Sequence, residues 1–271
     1  MLLAIDVGNT NIVLGVFREA DWELIHCWRL TTLRERTADE LGILVTSLCA
    51  RHDIAAKNVT GVVMGSVVPP LTGTMTLMVT NYFGRAPLNV DPARNSGMPI
   101  LYDNPAEVGA DRVVNGIAAY EAYGRADSRP VIVVDFGTAT TFDAISAKGE
   151  YLGGVICPGP QISADALFQR AARLPRIDVR KPERVIGRTT VGSMQSGLFW
   201  GYVDMVEGLV RRMRAELGGA VVVVATGGLA VLVAPETEMI DHVDSELTLR
   251  GLRIVWQRNS GVQGASDPSS A

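Results

Sequence analysis

Asp6-Val7-Gly8-Asn9-Thr10-Asn11 and Asp135-Phe136-Gly137-Thr138-Ala139-Thr140-Thr141 are two copies of one short pattern. Each closes an apolar run, Leu2 to Ile5 and Val131 to Val134, and each leads into another strand-like run. Each therefore reads as a hairpin turn with an aspartate at its mouth. The glycine lets the chain turn tightly and expose backbone N–H groups, and the hydroxyl and amide side chains add donors suited to an anionic phosphate. An aspartate at the strand end can hold Mg²⁺, or another cation, against such phosphates. One such turn alone is an ordinary hairpin corner. Two in matching strand contexts point to related halves closing on a nucleotide between them.

The segments around the two turns repeat in the same order. Met1 to Val7, Ile12 to Phe17 and Trp22 to Leu30 read as three consecutive strands. Thr37-Ala38-Asp39-Glu40 is a capping box, and Leu41, Leu44, Val45 and Leu48 continue a helix to about His52. Val62 to Val68 reads as a buried strand, and Pro69-Pro70 opens a helix to about Phe83. Leu88 to Tyr102 is irregular, and a helix follows Asn104-Pro105. In the second half, strands are predicted at Val131 to Asp135, Thr141 to Ser146 and Tyr151 to Ile156. Pro158-Gly159-Pro160 breaks the chain before a helix from Ser163 to about Leu174, and Arg176 to Thr189 is irregular again. A long helix from about Val191 to Leu217, a strand at Ala220 to Ala225, the pair Gly227-Gly228 and a helix from Ser245 to Gln257 complete the series. The expectation is α/β with two duplicated domains, residues 1–115 and 116–258, and a disordered Ser/Gly-rich tail at 259–271.

The chain has 271 residues, 47% of them hydrophobic, enough for a sizeable core. A net charge of -4 without Lys/Arg-rich runs gives no field to recruit nucleic acid. The three cysteines, Cys27, Cys49 and Cys157, are scattered and fit reduced thiols better than a disulfide frame. The three histidines show no metal-ligand spacing. Asp6 interrupts the first apolar run, so no signal peptide is expected. Ala220 to Ala225 is far shorter than the about 20 residues that cross a bilayer. A soluble, cytoplasmic protein is the expectation.

Other phosphate signatures are missing: there is no Gly-Lys pair, no Gly-x-Gly and no Gly-x-Ser-x-Gly. Gly109-Ala110-Asp111-Arg112 stands near a predicted helix start, where free N–H groups favour anions. There Asp111 can accept a proton from a substrate hydroxyl, and Arg112 can orient an anionic group. On spacing alone, a helix-stabilising Asp beside a solvated Arg explains the same residues as well or better. Gly227-Gly228 can admit a flat purine or be a plain strand-to-helix turn. Thr189-Thr190 opens the long helix, where a Thr cap is the plain account. On that helix Phe199, Trp200 and Tyr202 join an apolar face that suits core first and a subunit contact second.

Taken together, the chain resembles the type III pantothenate kinases, members of the acetate and sugar kinase, heat-shock chaperone and actin superfamily. The resemblance runs from Met1 to about Trp256. It rests on the two Asp-Gly turns, Gly65-Ser66-Val67-Val68-Pro69, Gly109 to Arg112, Gly153-Gly154-Val155-Ile156-Cys157-Pro158-Gly159, Gln195-Ser196-Gly197 and Thr226-Gly227-Gly228. It implies duplicated actin-like (ribonuclease H-like) domains and ATP-dependent phosphorylation of pantothenate to 4′-phosphopantothenate. It maps the ATP loop onto Asp6, Val7, Gly8, Asn9, Thr10, Asn11, Ile12 and Val13, with Thr138 also on the phosphates and Asp6 on Mg-ATP. Asp111 matches the general base. Tyr102, Gly109, Ala110, Arg112 and Thr190 match pantothenate contacts, and Asp135 matches the ligand of a monovalent cation, K⁺ or NH₄⁺. A homodimer is implied as well. The family usually has Asn where this chain has Thr189. The rival readings are a kinase of another small alcohol and a non-catalytic accessory protein on the same fold.

Overall fold

A computed structural model describes residues 1–261. The expected tail lies outside the described residues, except that Asn259 ends the last helix and two residues follow it. The chain forms two compact units. The first holds Met1–Met98, Asp103–Ala118 and the described residues from Thr248 on; the second holds Pro99–Tyr102 and Ala119–Leu247.

In the first unit, β1 (Leu2–Val7), β2 (Asn11–Phe17) and β3 (Leu24–Thr31) form an antiparallel meander. Trp22 sits at φ 58°, so the turn before β3 runs two residues longer than the apolar pattern implies. Helix α1 (Ala38–Ala50) starts on the expected capping box, with Thr37 and Glu40 bonded reciprocally. Strand β4 (Gly61–Ser66) pairs parallel with β1, helix α2 (Pro69–Phe83) follows, and short β5 (Leu88–Asn89) pairs parallel with β4. The sheet order is β3-β2-β1-β4-β5. Strand β1 is apolar on both faces because it is covered on both. Leu3, Ile5 and Val7 pack with Leu41, Val45, Leu71 and Met75 of α1 and α2. Helix α3 (Ala110–Ala119) follows a short turn capped by Asn104 and continues into one π-helical turn.

The second unit repeats this plan. Strands β6 (Val131–Phe136), β7 (Ala139–Ile145) and β8 (Tyr151–Pro158) form the meander. Helix α4 (Pro160–Arg170) starts three residues earlier than predicted, since Pro160 fits the first helical turn, and it stops short of Leu174. The long helix α5 (Thr190–Leu217) is followed by β9 (Val222–Gly227), helix α6 (Ala230–Val233) and β10 (His242–Val243). The order β8-β7-β6-β9-β10 matches the first sheet strand for strand. Ile132, Val134 and Phe142 pack with Phe199, Val203, Val206 and Val210 of α5. Among the described residues no helix is long and apolar enough to cross a membrane.

The last helix, α7 (Leu247–Asn259), was expected to close the second domain, but from Thr248 it belongs to the first unit. Three glycines make the place for it. A Cβ on Gly61 would lie 2.2 Å from the Trp256 ring, one on Gly15 2.8 Å from Leu249, and one on Gly65 3.2 Å from Leu252. Gly251 lets α7 close on α3, where a Cβ would lie 2.0 Å from the Val114 carbonyl.

Candidate active site

The first corner joins β1 to β2. Val7 and Ile12 are core residues, so only their backbone can face a ligand. Val13, half-buried on β2, stands directly across from Asp6. The Gly8 N–H donates to the Asn11 carbonyl at 3.0 Å, so this glycine shapes the corner and does not itself offer a free donor. Asn9 and Thr10 are exposed and carry the remaining polar side chains. Thr32, just past β3, donates its hydroxyl to the Gly8 carbonyl (2.7 Å) and its N–H to the Thr10 carbonyl (3.0 Å).

Asp111 sits in the first turn of α3, beside this corner. The Val67 N–H donates to the Val7 carbonyl at 3.1 Å. A Cβ on Gly109 would lie 3.5 Å from Val67 and 2.5 Å from Asp111 Oδ1. The Asp111 carboxylate therefore folds over the bare Gly109 backbone, where Oδ1 accepts the Arg112 N–H at 2.8 Å. Ala110 lies against Gly65 at the end of β4. Asp111 and the Gly8 corner thus share the carboxyl end of the parallel pair β1 and β4, the usual ligand end of such sheets. Burial pushes the Asp111 pKa above the ordinary carboxylate value; the Arg112 N–H and charge act against that rise. Arg112 is itself buried, not the solvated side chain of the plain reading.

The second corner is tighter. The Gly137 N–H donates to the Ala139 carbonyl at 3.1 Å, leaving Thr138 exposed at the tip. The Thr138 carbonyl accepts the Gly159 N–H at 3.1 Å. A Cβ on Gly159 would lie 2.2 Å from that same carbonyl oxygen and 2.7 Å from the Gly137 oxygen. Tyr202 of α5 donates its hydroxyl to the Pro158 carbonyl and lies 2.8 Å from the Ser163 hydroxyl, tying α4 and α5 to the junction. Asp135 occupies a gap left by glycines. Gly227 has φ +90°, and a Cβ there would lie 2.5 Å from Asp135 Oδ1. Thr141 stands directly across from Asp135 on β7. Carboxylate and hydroxyl oxygens of this kind fit a hard cation. Among the described residues no three His, Cys, Asp or Glu gather as a metal site.

Residues 99–101 bridge to the first residue of β8: the Tyr151 N–H donates to the Pro99 carbonyl and the Leu101 N–H donates to the Tyr151 carbonyl, both at 2.8 Å. The Tyr102 ring meets Tyr151 edge-on at 6.3 Å and covers Gly153. Thr190 is the exposed first residue of α5, and Thr189 caps it by accepting the Gly192 N–H at 3.0 Å. Thr189 thus does the capping work at this helix start. The predicted residues divide by unit: Asp6 to Val13 and Gly109 to Arg112 in the first, Tyr102, Asp135, Thr138 and Thr190 in the second. The sequence assigns no site role to Gly159, known only as part of a motif, to Tyr202, known only as an aromatic on the long helix, or to Asp143. A Pro-Gly-Pro string signals only a chain break, and nothing local says what a buried Tyr or Asp will bond.

The family profile of the type III pantothenate kinases matches residues 2–212. The chain belongs to the type III pantothenate kinase family. A type III pantothenate kinase of Moorella thermoacetica is 56% identical over 260 residues, covering 96% of this chain and 100% of that one. One of Myxococcus xanthus is 58% identical over 259 residues, with 96% and 99% covered. Solved structures show the same fold at low identity. A Campylobacter jejuni protein named for the Baf family of transcriptional activators gives a TM-score of 0.61 at 19% identity, covering 96% and 100%. An inorganic polyphosphate/ATP-glucomannokinase of Arthrobacter gives 0.51 at 17%, covering 93% and 96%. The two curated relatives are named kinases, and the solved structures share this chain's duplicated actin-like fold.

Proposed function

We propose that this family member transfers the γ-phosphoryl group of ATP to the hydroxyl of pantothenate, giving 4′-phosphopantothenate, the first step toward coenzyme A. The observation that carries the reading is Asp111, held over Gly109 at the strand end that also bears the Gly8 corner. Asp6 to Val13 and Thr138 serve the triphosphate. Arg112 pairs with the carboxylate of pantothenate, and Tyr102, Gly109, Ala110 and Thr190 line the rest of that substrate's path. As the hydroxyl oxygen bonds to the γ-phosphorus, its proton passes to Asp111 and the bond to the β-phosphate oxygen breaks, releasing ADP. Such transfer asks the protein mainly for alignment and charge neutralisation. Mg²⁺ beside Asp6 and K⁺ or NH₄⁺ beside Asp135, when bound, would supply positive charge against the triphosphate.

The reading extends to a cytoplasmic homodimer. Its support is apolar surface in the second unit: Ile156, Phe168, Val185 and Ile186 are 63%, 47%, 64% and 82% exposed.

A coupled ATP assay across small alcohols, with and without potassium, tests the reaction; turnover of a sugar and not of pantothenate would replace the substrate. Asp111→Asn is expected to lower kcat about 10²–10⁴-fold while both substrates still bind. Near-full turnover would remove Asp111 from the mechanism. Because only the ionised carboxylate accepts a proton, kcat/KM rises with pH through the Asp111 pKa. Burial raises that pKa, so the acid limb is expected above the ordinary aspartate range. Loss of the limb in Asp111→Asn checks the assignment.

A further inference from the structure

Asp143 lies on β7, has no exposed surface, and belongs to none of the roles above. Its carboxylate accepts the Tyr151 hydroxyl at 2.7 Å and the Thr141 hydroxyl at 3.1 Å. A buried carboxylate is costly unless it is well hydrogen-bonded, so its place next to two site elements needs a reason. Thr141 and Asp143 are two apart on one strand and share a face. Thr141 is the direct cross-strand partner of Asp135, on the same face, with Cβ atoms about 4.5–5.5 Å apart in such pairs. Since the Thr141 proton is committed to Asp143, its oxygen presents only lone pairs to what lies beside Asp135. On the other side, Tyr151 is fully buried and meets the Tyr102 ring edge-on.

We propose that Asp143 is a positioning residue with two arms: it turns Thr141 into a second oxygen ligand for the monovalent cation at Asp135, and it fixes Tyr151 as the support for Tyr102. This rests on the roles given to Asp135 and Tyr102 under the proposed function. One buried group then sets both cation affinity and pantothenate placement.

Three variants separate the arms: Thr141→Val, Tyr151→Phe and Asp143→Asn. The first readout is the melting temperature in potassium against choline, which needs no turnover, because a ligand bound only by the folded state raises it. The wild type and Tyr151→Phe are expected to show the potassium shift. Asp143→Asn is expected to need about 10–100-fold more potassium for the same shift, as outer-shell changes do at metal sites, and Thr141→Val, which removes the ligand itself, at least as much. The second readout is the KM for pantothenate, expected to rise in Tyr151→Phe and Asp143→Asn and to hold in Thr141→Val. If Asp143→Asn fails to fold, the contrast between the other two still decides. A merely structural Asp143 would lower stability in all three variants with no split between readouts, and that result overturns the proposal. So does a full potassium response in Thr141→Val, or none in the wild type. If the wild type shifts with potassium yet does not phosphorylate pantothenate, the assigned substrate fails while the Thr141 arm stands or falls on the melts.

Discussion

The two Asp-Gly corners share a sheet topology and a register but are held by different means. The first leaves three residues, Gly8 to Thr10, between its strands; the second leaves two, Gly137 and Thr138. At the chain position just past the third strand, the first unit has Thr32, which grips its corner with a hydroxyl and an amide. The second unit has Gly159 at its counterpart, which grips with its amide alone and at a distance no side chain allows. The same contrast recurs beside the aspartates. Val7 of β1 pairs with Ser66, whose hydroxyl accepts the Val68 N–H and the Thr72 hydroxyl. Phe136 of β6 pairs with Gly227, whose bare Cα leaves room for the Asp135 carboxylate. One corner is fastened by side-chain bonds and the other by the absence of side chains. The duplication has kept the frame and exchanged the fastening.

The comparison is broken most severely at Gly159. Gly159→Ala places a methyl against the Thr138 carbonyl, which is backbone and cannot swing away, so the tip proposed to serve the phosphates must move. A displacement on the order of 1 Å costs about 10²-fold in such reactions, and kcat/KM for ATP is expected to fall by about that factor with the fold retained by circular dichroism. Unchanged ATP kinetics would show that the second corner takes no part in holding the triphosphate.

A smaller loss is expected at Gly227. Alanine at φ +90° costs about 1–3 kcal/mol of backbone strain, and its methyl also crowds Asp135 Oδ1. Gly227→Ala should lower the denaturation midpoint and raise the potassium concentration needed for half-maximal rate. A stability loss with an unaltered potassium requirement would separate Asp135 from the cation.

These expectations show where the sequence was readable. Strand triplet, helix, strand, helix could be read twice because apolar runs, a capping box and Pro-Pro are local signals, each acting within a few residues. The aspartates could be found because they end such runs. The fastening could not. Gly159 and Gly227 matter through what approaches them, Thr138 and Asp135, and neither approach is written near them in the chain. The apolar stripe of helix α7 does not say which sheet it covers; its place is fixed by Gly15, Gly61 and Gly65, far earlier in the chain. Arg112 read as solvated because charge next to a helix start usually is, yet it is 8% exposed. Asp143 looked like one more strand residue, since only the fold brings the Tyr151 hydroxyl to it.

The mildest effect belongs to the first corner, and it sharpens the comparison from the other side. Thr32→Val keeps the shape and the N–H bond to the Thr10 carbonyl but deletes the hydroxyl bond to Gly8. A hydrogen bond of this kind contributes about 0.5–1.5 kcal/mol, and the corner retains its own Gly8–Asn11 bond. The expected outcome is a loss of unfolding free energy of that size, read from denaturant melts, and an ATP KM raised severalfold at most. Should Thr32→Val cost as much ATP affinity as Gly159→Ala, the side-chain fastening would be as unforgiving as the glycine one. The two corners would then differ in chemistry but not in tolerance, because a loop of three residues would depend on its buttress as fully as a loop of two.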